Sequence, residues 1–236
     1  MIKMINKIAS YYLNNLKRKV SLETVIEKLE IIVFVLKSGV AWKDLELLNL
    51  KYCESNYRKF YYKLVKLNII DEMLKKINKN SNVCFIDTTN IRNKHGKKES
   101  IGFCPQDKKH KGNKVSLTVS ENRKVLNCCV DKGSCHDTKM FYRTIENVKC
   151  KKIIGDKGYT SKEIKETVKE KGIELIYPYK RNSKLENNKE ENELLKKRHI
   201  VENVICNVKK FKRIDTRYER NIDYFINFVK LACLLI

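Results

Sequence analysis

Proline and glycine are scarce, two and eight in 236 residues. With so few chain breakers, element boundaries must be read from periodicity. Long apolar runs are absent: the apolar stretch Phe225–Ile236 falls far below the ~20 residues that span a bilayer. No leader of the charged-then-apolar kind opens the chain, because Met1–Ser10 already carries Lys3, Asn6 and Lys7. A soluble, intracellular protein with no membrane partner is expected, cytoplasmic and nucleoid-associated, or nuclear or at a viral factory in a non-bacterial host. No CxxC pair occurs among the nine cysteines. An odd count without a secretory leader argues against a disulfide framework. Cys128 and Cys129 are adjacent in a strand-like run and should face opposite ways, which argues against zinc and for buried free thiols. There is no Walker loop, no GxSxG elbow and no HExxH helix. Neither a protein nucleophile nor a small-molecule cofactor is expected.

Acidic residues are outnumbered, 28 against 51 Lys and Arg, for a net charge of +23. A surface so charged repels itself unless an anionic partner is present. Nucleic acid is the commonest such partner, since clustered cations release condensed counterions on binding. A Lys/Asn-rich coding bias would raise the same count without function, but it leaves the placement of the acids unexplained. Cations concentrate in Arg92–Lys114, which holds eight Lys and Arg, Lys108, Lys109 and Lys111 among them, against Glu99 and Asp107. This segment reads as a basic loop between the first two strands, able to lie on DNA backbone or merely solvated.

Residues 1–80 are expected to form a small helical module. Ser21 can cap a helix whose apolar positions Ile26, Leu29, Ile32, Val33 and Leu36 recur at helical spacing, with Ser38-Gly39 as its stop. Further helices are predicted over 53–66 and 69–77. Short helices joined by tight turns suit a helix-turn-helix-like DNA-binding module or a plain packing bundle. From residue 81 the texture changes. Val83–Ile86, Val115–Ser120 and Val125–Val130 read as three strands. A helix over 137–148, a strand at 153–154, a helix over 161–171 and a strand over 173–179 follow. A polar loop over 181–192, a helix over 193–210 and a last helix from Asp223 complete the chain. Three strands can form an antiparallel meander, whereas the strand–helix–strand units after them require parallel crossovers. The α/β fold class expected for 81–236 is therefore ribonuclease-H-like, a mixed sheet with flanking helices.

Two aspartates stand where apolar strands end, Asp87 after Ile86 and Asp156 after Ile153-Ile154-Gly155. Carboxylates at the rim of such a sheet can converge. Alone they would repel and raise one another's pKa, and a divalent cation removes that penalty. All-oxygen ligands of this type suit Mg²⁺ or Mn²⁺. The third ligand is expected from the helix at 193–210. At 100° per residue, Arg198 and Glu202 lie ~40° apart, and Glu202 and Lys209 ~20° apart, on one face. Val201, Val204, Ile205, Val208 and Phe211 form the adjoining apolar stripe that would seat the helix. A solvated Arg–Glu pair is the plain alternative. Asp87, Asp156 and Glu202 are thus the candidate metal ligands and catalytic residues, holding two ions ~4 Å apart for in-line displacement at phosphorus.

The same residues resemble the DDE transposases of bacterial insertion sequences, in the group joining insertion-sequence families four and five. Asp87-Thr88-Thr89 and Gly133-Ser134-Cys135-His136-Asp137 match two of the family's elements. Gly155-Asp156-Lys157-Gly158-Tyr159 matches its Asp-Lys-Gly-Tyr block. Arg198-x3-Glu202-x6-Lys209 matches the end of its Tyr-x2-Arg-x3-Glu-x6-Lys signature, with Leu195 in the place of the tyrosine. Phe211–Ile214 and Arg217–Arg220 look like the family's tail, and Lys37–Leu45 like its N-terminal module. The resemblance implies metal-dependent cleavage of transposon ends and strand transfer into target double-stranded DNA by a dimer. It further implies DNA contacts from Arg198, Lys209, Lys157 and Tyr159. His136 and Asp137 would support the site, although Asp137 can equally be a helix N-cap. Trp42 reads as a core anchor. A structure-selective nuclease on the same scaffold and an inactive DNA-binding descendant are the competing functions; a basic RNA-binding protein would leave the acids unexplained.

Overall fold

The computed structural model describes residues 1–16, 20–76, 80–104, 107–179 and 183–236, with the side chains of 107–109 outside that description. The chain divides into two compact units. One comprises Met1–Ile77, Asn93–Lys97 and Val208–Ile236; the other comprises Asn78–Arg92 and Lys98–Asn207. The helical module expected over 1–80 therefore packs together with the end of the chain. Among the described residues no helix is long and apolar enough to cross a membrane.

Four helices open the helical unit: α1 (Ile2–Asn14), α2 (Leu22–Ser38), α3 (Glu54–Lys66) and α4 (Ile69–Lys75), with a 3-10 turn over Trp42–Leu48. The α1 helix has no counterpart in the sequence expectations. Ser21 caps α2 as expected, its hydroxyl accepting the Thr24 N–H at 3.2 Å. The buried face of α2 runs through Val25, Leu29, Ile32, Val33, Val35 and Leu36, so Val25 takes the place expected of Ile26, which is only half-buried. Gly39 ends the helix at φ 76°, and a Cβ there would stand 2.7 Å from the Lys212 Cβ. Only glycine meets both demands at once.

The second unit carries the sheet. Its strands are β1 (Val83–Asn93), β2 (Gly102–Cys104), β3 (Asp107–Ser120), β4 (Val125–Lys132), β5 (Lys152–Ile154) and β6 (Glu174–Ile176). β3 pairs antiparallel with β1 and β4 through the same residues, so those two strands flank it. β1 pairs parallel with β5, and β5 parallel with β6. The order β4-β3-β1-β5-β6, antiparallel then parallel, is the ribonuclease-H-like mixed sheet. The helices α5 (Asp137–Thr144), α6 (Lys162–Glu170), α7 (Lys189–Lys196) and α8 (His199–Lys209) accompany it. Cys84, Ile86, Leu126, Phe141, Ile153, Tyr159 and Ile164 are among the residues of one buried cluster.

Three sequence expectations are corrected here. β1 does not stop at Ile86 but runs on through polar residues to Asn93, because β3 supplies an antiparallel partner as far as Arg92↔Gly112. The basic stretch Arg92–Lys114 is not one loop, since Asp107–Lys114 belongs to β3, and β2 pairs with its start. The single helix expected over 193–210 is two, and α7 begins inside the stretch expected to be a polar loop. Asn188 starts it with a full capping box to Glu191.

The chain closes with α9 (Lys212–Asp215), the short strand β7 (Thr216–Arg217) and α10 (Ile222–Leu235), all in the helical unit. Phe225, Phe228, Leu231 and Ala232 are fully buried there. Tyr61 stacks on Phe228 at 4.3 Å and donates its hydroxyl to the Tyr224 carbonyl at 2.5 Å. Trp42 stacks against both Tyr61 and Phe228, as a core anchor should.

Candidate functional site

The backbone brings the two aspartates together. Parallel pairing of β1 with β5 ends at Phe85↔Ile154. Asp87 lies two residues beyond that pair on β1 and Asp156 two residues beyond it, just past the end of β5, and paired strands run ~4.8 Å apart. Asp87 thus sits at a rim, although its own strand continues: the rim is the end of β5, not of β1.

The glycines around Asp156 have steric reasons. A Cβ on Gly155 would fall 2.6 Å from the Tyr159 ring, and one on Gly158 would meet the Asp156 carboxylate at 2.9 Å. Asp156 accepts the Gly158 N–H at 2.7 Å and so caps the 3-10 turn Lys157–Tyr159. Tyr159 packs on Phe141 with 5.3 Å between ring centres. The five-residue block is therefore a short turn locked onto the core, with one carboxylate held at its mouth.

Arg198 gathers the rest. One guanidinium nitrogen lies 3.8 Å from Asp87 Oδ2 and 4.0 Å from Glu202 Oε1. Those two carboxylates are separated by no more than these distances laid end to end. The Asp87 carboxylate also accepts the Thr88 N–H at 2.8 Å. Burial raises its pKa to about 6, opposed by the Thr88 bond and Arg198, and pushed further by the charges of Asp156 and Glu202. Asp87 is thus in electrostatic range of both Asp156 and Glu202. Among the described residues, however, no three acidic, histidine or cysteine side chains are set to hold an ion as they stand.

A raised carboxyl pKa has a definite consequence for stability. Folded Asp87 binds its proton more tightly than the unfolded chain does, so the fold gains as pH falls from about 6 toward 3.8 and loses as pH rises through that window. In chelator, Asp87→Asn is expected to raise the melting temperature at pH 7 and to flatten its pH dependence between those values. An unchanged pH profile would show that the carboxyl is not held in this environment.

The remaining expected residues are placed as follows. Tyr159, expected among the DNA contacts, is only 1% exposed. Burial raises its pKa, and the charges of Asp137, Asp87 and Asp156 add to this against Arg198. Lys157 and Lys111 are exposed. The side chains of Lys108 and Lys109 lie outside the described residues. Lys209 is half-buried in the last turn of α8, within the stretch that belongs to the helical unit. The cap of α5 is His136 rather than Asp137: its Nδ1 accepts the Thr138 N–H at 3.3 Å. Asp137 instead pairs with Lys114 at 2.7 Å, and the same ammonium donates to the Cys135 carbonyl at 3.0 Å. Lys114 was missed as an individual, being counted only among the basic residues of its segment. Its signal was a lysine leading directly into the apolar run Val115–Val119, where a buried cation needs an acidic partner.

A family profile described as a transposase DDE domain matches residues 65–222. No curated protein matches the sequence. Among solved structures, the chain is similar to one in a cryo-EM structure of the piggyBac transposase synaptic complex with hairpin DNA. The identity is 12% and the TM-score 0.50, over 99% of this chain and 70% of that one. It also matches a chain in a cryo-EM structure of the simian T-cell lymphotropic virus intasome in complex with PP2A regulatory subunit B56 gamma. There the identity is 11% and the TM-score 0.42, over 86% of this chain and 66% of that one. The first likeness is one of fold; the second is too loose to bear on it.

Proposed function

Because the chain belongs to the transposase DDE domain family, and is on that ground a DDE-type DNA transposase, we propose that Asp87, Asp156 and Glu202 are its metal-holding carboxylates. The observation that carries this is electrostatic: Asp87 is raised to about 6 in part by the other two, and Arg198 touches two of the three. Like charges brought together at a sheet rim are stable when a cation joins them. Domains of this family work with divalent metal ions. The donor set suits a hard one, being all carboxylate oxygen. Glu202, with 57% of its side chain exposed, has room to turn from Arg198 toward the two aspartates.

Asp87, Asp156 and Glu202 would hold Mg²⁺, for which Mn²⁺ would substitute, as a pair of ions, and the metal would supply charge stabilisation for an in-line displacement at phosphorus by water or a 3′-hydroxyl. The chain's own residues hold and orient. Asp156 is fixed by its turn, Asp87 by the sheet, and Arg198 offers its guanidinium to a scissile-strand phosphate as it does now to the carboxylates. Lys209, Lys157, Lys111, Lys108 and Lys109 contact the backbone of the duplex, and the His136–Asp137 corner, tied to Lys114, backs the site. We place the chain in the insertion-sequence four/five group on the spacing Arg198-x3-Glu202-x6-Lys209, with double-stranded transposon ends and target DNA as substrates and a dimer as the working form. The deciding experiment is nicking of duplex carrying the inverted repeats that flank the gene. Cleavage in Mg²⁺ or Mn²⁺ that stops in EDTA is expected; cleavage indifferent to EDTA would overturn the assignment.

A further inference from the structure

Two of the free cysteines meet away from the acidic site. Cys84 lies in β1, and Cys150 stands just before β5. Parallel pairing of the two strands starts at Val83↔Lys152. It is carried back by the Ser81 N–H, which donates to the Lys149 carbonyl at 2.9 Å, and the Lys151 N–H, which donates to the Asn82 carbonyl at 3.0 Å. Cys150 packs against the buried cluster that contains Cys84. A hydrogen bond between the two thiols raises the pKa of Cys84 and lowers that of Cys150, so Cys84 donates and Cys150 accepts. Burial adds to the rise at Cys84 and opposes the fall at Cys150.

Access divides the pair in the same sense. Cys84 is fully buried, whereas Cys150 is half-buried and opens on a concavity of about 520 Å³. Asn80, Ser81, Asn82, Lys149 and Lys151 complete its lining, with no acid among them. Lys149 and Lys151 are exposed on either side of Cys150 in the chain, and their charge draws an anionic reagent toward that sulfur. The thiolate is the reactive form of cysteine, and a neighbouring donor favours it. An outer sulfur that can attack, backed by an inner one in contact, is what disulfide exchange requires. Cys53 is exposed too, but its sulfur contacts the Ser55 hydroxyl instead of a second thiol.

We propose that Cys84 and Cys150 form a thiol–disulfide exchange site for a small anionic disulfide such as oxidised glutathione. Cys150 Sγ attacks one sulfur of the reagent, whose S–S bond breaks, and one glutathione leaves as its thiolate. Cys84 then passes its proton to that thiolate, and its sulfur attacks Cys150 Sγ, expelling the second glutathione. Two cysteine thiols are oxidised, and one disulfide is reduced to two thiols. The product bridge ties β1 to the lead-in of β5, the strand whose other end leads to Asp156. The site is independent of the DNA chemistry.

The test is peptide mapping of the folded full chain after exposure to oxidised glutathione at neutral pH, quenched with acid. Wild type is expected to give Cys84–Cys150 linked peptides, with little glutathione left on Cys150. In Cys84→Ser the adduct on Cys150 should accumulate about tenfold over wild type, because a thiol already in contact acts at an effective concentration of about mM or more. Cys150→Ser, a change at a half-buried position, should leave Cys84 reduced. Should Cys84→Ser misfold, the wild-type map decides by itself. Absence of the linked peptides, whether Cys150 keeps its glutathione or stays unmodified, overturns the site. So does an equal adduct on Cys150 in wild type and folded Cys84→Ser.

Discussion

Asp87→Asn is expected to lower metal-dependent cleavage of end-containing DNA on the order of a thousandfold or more, the scale on which one member of a cooperating catalytic set is lost. The change removes a charge and almost no volume. The backbone at Asp87 stays paired with Leu117, and the raised pKa says the folded chain tolerates the neutral group well. Folding is therefore not the explanation if activity disappears. Since Asp87, Asp156 and Glu202 are proposed to act through shared ions, their losses should not add. Asp87→Asn combined with Glu202→Gln should fall no further than the worse single variant. Cleavage by Asp87→Asn at the wild-type rate in Mn²⁺ would end the three-carboxylate assignment.

The second large effect is on stability. Arg213→Met is expected to cost about 3–5 kcal/mol, because it strands a buried carboxylate. Arg213 and Glu219 each have 5% of the side chain exposed, and Arg213 also donates to the Val40 carbonyl at 2.6 Å. The urea midpoint at pH 7 should drop by about 1 M or more. The pH dependence has a definite sign. Burial already raises the Glu219 carboxyl above its ordinary 4.5, and losing Arg213 raises it further. A carboxyl raised in the fold favours folding once protonated, so the deficit of Arg213→Met should shrink as pH falls toward 4.5 and be full above the folded value. The double change Arg213→Met with Glu219→Leu should recover the larger share, leaving the Val40 carbonyl as residue of the damage. A deficit independent of pH would mean the two side chains are not coupled in this way.

Much of the candidate site was legible because its signals are local. Ile153-Ile154-Gly155-Asp156 announces a carboxylate just past a strand, and the glycines of the block are forced by contacts within five residues. Arg198 and Glu202 are one helical turn apart, and they meet. What sequence missed depends on partners far along the chain. Asp87-Thr88-Thr89-Asn90 looks like the end of a strand by its polarity, and only β3 laid alongside makes it strand. Asp107–Gly112 looks like a basic loop for the same reason, until β2 pairs with it. The break between α7 and α8 carries no proline or glycine, so periodicity runs across it. The cap at His136 was assigned to its neighbour because Asp is the commoner N-cap and histidine caps seldom. The membership of α10 in the helical unit has no local signature at all: its apolar residues require burial without naming the surface that buries them.

Tyr61 and Tyr224 meet across 163 positions of the polypeptide, and that separation sets an order of events during synthesis. Most of the sheet unit, Asn78–Arg92 and Lys98–Asn207, lies between those two positions in the sequence. Helices α1 to α4 are made before α10, so Tyr61 lacks its stacking partner Phe228 until α10 emerges. The helical unit is thus begun before most of the sheet unit and completed after it, and the apolar residues that α10 covers wait, exposed, in the interval.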